Sequence, residues 1–104
     1  MERRMSTLHI ALQEGFTHDD VRIDIAGAAV YHKQDVSTRL QLGLADSFST
    51  DVHDAEVTVH VALPARHIEQ QFVVPTYDAT YIGISVNSAG VIEHRVSATP
   101  FGYV

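Results

Sequence analysis

Apolar and polar residues alternate with a period of two along most of this chain. The clearest stretch is 55–63, where Val57, Val59, Val61 and Leu63 fall on one side of an extended backbone and Glu56, Thr58, His60 and Ala62 on the other. Such alternation in β-branched residues marks a strand with one face in a core and one in water. The same pattern predicts strands over 5–13, 20–26, 29–34, 36–44, 67–74, 80–87 and 91–98. In the first two, Leu8, Ile10 and Leu12, then Val21, Ile23 and Ile25, take the inward positions. In the fourth they are Val36, Thr38, Leu40, Leu42 and Leu44.

The breaks between these segments have identifiable causes. Pro64 and Pro75 end their strands because proline has no ladder donor. Gly27 marks a tight turn whose length sets the register of the third strand. A two-residue loop turns Val30 and His32 inward, and a three-residue loop turns Ala29 and Tyr31 inward. Asn87 and Gly90 bracket a hairpin loop suited to a type I turn followed by a left-handed residue. The stretch 45–54 reads mostly as loop anchored by Phe48, with a short helical turn or an edge strand as alternatives.

No segment holds an amphipathic 3.6-residue period, so helices do not organise the chain. Eight short strands at regular spacing predict an all-β, single-domain antiparallel β-sandwich spanning 1–104, with a small β-barrel as the alternative. A chain of 104 residues is the size of one domain, and 45% hydrophobic with 19% charged residues is too apolar for disorder.

Charge and cysteine content narrow the function classes. The net charge is −6, with Lys33 the sole lysine and the arginines scattered apart from Arg3 and Arg4. That argues against a phosphate-binding surface, so no nucleic-acid partner is expected. The basic start is followed by a polar alternating stretch, not by the apolar run of roughly 7–15 residues that a signal peptide needs. No apolar run is long enough for a membrane helix. The absence of cysteine excludes disulfides and thiolate metal sites and fits a reducing compartment. A soluble, cytoplasmic protein is expected.

Three groups of residues are candidates for chemistry. Pairing 55–63 with 67–74 about the turn at 63–66 sets Val61 opposite Ile68, Val57 opposite Phe72 and His60 opposite Glu69, with His67 diagonal on the same outer face. Two imidazoles and a carboxylate at that spacing make His60, His67 and Glu69 a candidate metal site, for zinc or calcium. The simpler reading is a solvated polar face with one exposed pair and no cofactor. The acidic stretches at Asp19 and Asp20 and over 46–54 resemble calcium-loop tips but lack the defined spacing.

The last hairpin pairs Val86 with Ile92, Ile84 with His94 and Ile82 with Val96, which turns His94 inward as a core histidine. Its other face carries Tyr81, Gly83, Glu93 and Arg95, and Gly83 leaves a gap where a ligand or partner can approach. Arg95 packing over Tyr81 and pairing with Glu93 is the competing arrangement. The third group is the tail, where Phe101, Tyr103 and Val104 follow Pro100. Aromatic chain ends need something to hold them, either the chain's own sandwich or a second copy in a homodimer. No nucleophile elbow, phosphate loop or dinucleotide fingerprint is present. The expected function is therefore non-enzymatic, through binding or self-association, with a metal-binding protein as the alternative.

Overall fold

Alternation becomes ladders over most of the predicted segments. The computed structural model describes residues 5–101. Its strands are β1 (Ser6–Leu12), β2 (Asp19–Ile25), β3 (Ala28–Val36), β4 (Asp46–Val52), β5 (Glu56–Leu63), β6 (Ile68–Pro75), β7 (Ala79–Val86) and β8 (Ile92–Ser97). They form two four-stranded sheets, ordered β4-β1-β7-β8 and β3-β2-β5-β6. Two separate sheets make a sandwich, not the barrel. The core lies between them: Leu8, Ile10 and Leu12 with Ile82, Ile84 and Val86 on one side, Val21, Ile23 and Ile25 with Val57, Val59, Val61 and Leu63 on the other. Full burial of each such side chain contributes roughly 1.5–3 kcal/mol before chain entropy is counted.

One pairing departs from an antiparallel sandwich. β1 runs antiparallel to β4 but parallel to β7, from Thr7 opposite Ala79 to Leu12 opposite Ile84. A parallel pair needs a long crossover. Here residues 13–78 supply it, building the whole second sheet on the way.

The strand expected over 36–44 does not form. Val36 ends β3 inside the core, and a backbone turn follows in which the Gly43 N–H donates to the Arg39 carbonyl at 2.8 Å. Leu40 and Leu42, expected to face inward, are exposed. The chain must here leave an edge of one sheet and climb to the other, so 37–45 has no neighbouring strand along its length. The fourth strand is instead β4, within the stretch read mostly as loop, and it takes the edge-strand alternative. Phe48 and Val52 turn towards the core while Ser47, Ser49 and Asp51 face water. An edge strand needs few apolar residues, which is why its pattern is faint.

The β2–β3 hairpin takes the two-residue loop of the first alternative, but a bulge replaces His32 with Tyr31 on the inward side. Ala26 and Gly27 both have positive φ, 52° and 80°, the conformation of a two-residue type I′ turn. Ile25 then pairs with Ala28 and Asp24 with Ala29, but Ile23 pairs with Tyr31. Val30 is the extra residue of a β-bulge, so Val30 and Tyr31 both pack against the core.

Candidate binding face

The outer face of the β4-β1-β7-β8 sheet is built from the alternate residues of each strand. Register places His9 beside Tyr81, Ala11 beside Gly83, Gly83 beside Arg95, and Ser85 beside Glu93. The four residues expected to form a binding surface, Tyr81, Gly83, Glu93 and Arg95, therefore do share one face. Their contacts differ from expectation. Tyr81 stacks on His9, with ring centroids 4.7 Å apart, and His9 Nδ1 lies 3.0 Å from Ser49 Oγ. Arg95 sits 4.4 Å from the centroid of the Phe101 ring, not over Tyr81. Glu93 accepts from Asn87 Nδ2 at 2.7 Å and makes no pair with Arg95.

The gap expected over Gly83 is occupied. A Cβ built on Gly83 would lie 2.5 Å from Gln13 Oε1, so the Gln13 side chain covers the glycine. Sequence carries no sign of this contact, because it follows from β1 lying parallel to β7. Beside the covered glycine, an open groove of about 650 Å³ runs over Ser85, Glu93 and Arg95. Glu14 and the turn carrying Leu40 and Leu42 wall it. The turn was hidden by its own alternation, which reads as a strand.

That wall is anchored from below. Arg66 donates from Nε and Nη2 to the two carboxylate oxygens of Asp19, each at 2.7 Å, and from Nη2 to the Gly15 carbonyl at 3.0 Å. The Thr17 N–H donates to Asp19 Oδ2 at 2.8 Å. Asp19 is 4% exposed, which makes it a buried charge held in a bidentate fork and not part of a solvated acidic tip. Thr38 closes the other side, its Oγ1 donating to the Gln13 carbonyl at 2.6 Å and accepting from the Phe16 N–H at 3.1 Å. Gly15 admits no side chain, since a Cβ there would lie 1.8 Å from the Val86 carbonyl oxygen.

The histidines distribute differently from expectation. The β5–β6 connection is a 3₁₀ turn, Pro64–Arg66, closed by His67 in a left-handed conformation with φ 56°. This turn shifts the register by two residues: Leu63 faces Ile68, Ala62 faces Glu69 and His60 faces Gln71. His60 Nε2 still reaches Glu69 Oε2 diagonally at 3.1 Å. His67 lies off the ladder in the turn. Among the described residues no three His, Cys, Asp or Glu side chains gather as a metal-holding group. His32 pairs with Asp20 at 2.8 Å and His18 with Asp35 at 2.5 Å, both exposed.

His94 pairs opposite Ile84 as expected but is exposed, not a core residue. The reason is position: β8 is an edge strand, and across the sandwich lies another edge, β6. The His94 ring stacks on Phe72 with centroids 3.7 Å apart and planes 5° from parallel. Burial of that ring face lowers its pKa. At the opposite edge, Tyr31 stacks on Phe48 at 4.7 Å and donates its hydroxyl to Asp46 Oδ2 at 2.7 Å. Burial, then Asp46, push the phenol up. Burial pushes the Asp46 carboxyl up, but the Tyr31 hydroxyl, the Ser47 N–H and Lys33 outweigh it and hold the pKa below the usual range.

Of the tail, Phe101 is half-buried beside Arg95, while Tyr103 and Val104 lie outside the described residues. No helix among the described residues is long and apolar enough to cross a membrane. No protein-family model, curated protein or solved structure matches this chain.

Proposed function

We propose that this protein is a non-enzymatic, cytoplasmic β-sandwich that works by binding or self-association, and that its working surface is the groove over Ser85, Glu93 and Arg95. The observation that carries this is the groove itself. Its floor offers a hydroxyl, a carboxylate and a guanidinium, and its wall offers two exposed leucines. Polar groups that fix orientation beside apolar area that excludes water are the ingredients of a recognition site. The net charge of −6 weighs against nucleic acid as the occupant. Strands account for most of the apolar pattern, and the sequence holds no nucleophile elbow, phosphate loop or dinucleotide fingerprint.

Selecting a random dodecapeptide display library on the full chain tests this. Enriched peptides are expected to bind the parent and to lose about tenfold or more on Ser85→Arg, which fills the floor, and on Arg95→Glu. Equal binding to all three proteins defeats the groove as the working surface. A saturable hydrolase activity abolished by one substitution defeats the non-enzymatic reading.

A further inference from the structure

The turn that walls the groove is built to project. The Arg39 N–H donates to the Leu44 carbonyl at 3.1 Å, and the Leu42 and Gly43 N–H groups both donate to the Arg39 carbonyl, at 3.0 and 2.8 Å. Its ends are pinned to the sandwich, Thr38 N–H to the Phe16 carbonyl at 2.9 Å and Ala45 N–H to the Leu12 carbonyl at 2.7 Å. A turn held this way keeps its tip off the body of the protein. Leu40 is accordingly 93% exposed, and Leu42 beside it 39%. A single surface leucine needs no explanation, but two on one hydrogen-bonded turn beside an open groove form a presented apolar patch.

Charge selects the occupant. With 13 acidic and 7 basic side chains, most of this surface repels a second copy. Around the tip that excess disappears. Arg39 lies in the turn, Arg95 and Glu93 lie on the groove floor, and Glu14 lies beside the turn, its Oε1 3.9 Å from where a Cβ on Gly43 would stand. None of these four has an ion-pair partner among the described residues. A patch with two charges of each sign about an apolar centre is complementary to itself under a two-fold rotation. An anionic membrane surface, the other common partner of an exposed apolar tip, is disfavoured by the acidic chain.

We propose that this face forms an isologous homodimer, in which Leu40 and Leu42 of each copy pack on those of the other and Arg39 of each pairs with Glu14 of the other. The proposal rests on the reading of the groove face as the working surface and names a second copy as its occupant. Four leucines make a contact well below the ~800 Å² per partner of a standard interface, so the dimer is a weak one.

Sedimentation equilibrium of the full chain, from about 10 to about 500 µM, tests it. The parent is expected to dimerise over that range. Leu40→Asp should raise the dissociation constant about tenfold or more with an unchanged circular dichroism spectrum, because Leu40 touches no core. Arg39→Glu and Glu14→Arg should each weaken the dimer several-fold, and the two together should restore it, since the reciprocal pairs re-form with reversed sign. A parent monomeric throughout overturns the dimer, as does a dimer indifferent to Leu40→Asp or a double variant weaker than both singles. If the dimer fails while library peptides still lose binding on Ser85→Arg, the dimer alone is wrong. If both fail, so does the groove reading.

Discussion

Arg66 and Asp19 sit 47 positions apart, yet their fork joins the 3₁₀ turn after β5 to the first residue of β2, where the loop that leaves β1 ends. Removing one partner of a buried pair strands the other charge without compensation. Arg66→Ala would leave Asp19 buried with the Thr17 N–H as its one remaining donor among the described residues. The range for such losses is roughly 3–5 kcal/mol, and Arg66 is itself 32% exposed, so about 3 kcal/mol is expected. Arg66→Lys keeps the charge but loses the planar fork and should recover about half. Urea unfolding midpoints measure both, and a loss under ~1 kcal/mol for Arg66→Ala means that water already screens the pair. Nothing in the sequence marks these two residues as partners. Asp19 is one of two adjacent acids, and its burial depends on which loop passes beneath Arg66.

At the scale of elements, the two sheet edges behave differently from the centre. β6 and β8 meet through Phe72 and His94, and the covered imidazole face holds the His94 pKa below its usual value near ~6.5. Below that value the unfolded chain takes up the proton first. Stability from this site is therefore present above about pH 6.5 and is lost as pH falls from there through the folded pKa. His94→Gln should flatten that part of the stability profile between pH 5 and 8, and Phe72→Ala should move the His94 titration, followed by NMR, back towards its ordinary position. A parent and His94→Gln variant with the same pH dependence show that the stack does not perturb the ring. The other edge acts in the acid range. The Asp46 carboxyl is held down by Tyr31 and its neighbours, so its contribution is present above the ordinary carboxylate range and is lost as pH falls through the lowered pKa.

For the whole molecule, topology governs how the fold is reached. The hairpins β2–β3, β5–β6 and β7–β8 close locally, but β1 must find β4 about forty positions away, with Ser6 opposite Val52, and β7 beyond seventy, with Thr7 opposite Ala79. Loop closure precedes any reward from such pairings, which places sandwiches at about a millisecond to a second in refolding. Stopped-flow refolding from urea should show that range, and microsecond refolding would mean that the local hairpins carry most of the barrier crossing. β1 lies second in its sheet, between β4 and β7, so one sheet stays incomplete until the ends of the chain meet.

Periodicity of two needs only neighbours along the chain, and it determined that this protein is all-β, that 55–63 is a central strand, and that Val57, Val59, Val61 and Leu63 are core. Turn chemistry is equally local, so the last hairpin was legible to the residue, with Val86 opposite Ile92. It also placed Tyr81, Gly83, Glu93 and Arg95 on one face. Tertiary structure decided what local pattern cannot carry. Alternation over 36–44 says which residues share a side, not whether a sheet lies beside them, and there none does. A burial argument for His94 fails at an edge strand, because being inward is not being covered. The parallel β1–β7 pair set Gln13 over Gly83 and left the groove beside it, and the register of β6 depended on the length of a 3₁₀ turn. Each of these depends on which strands become neighbours, and neighbours in a sheet are chosen by packing across the whole chain.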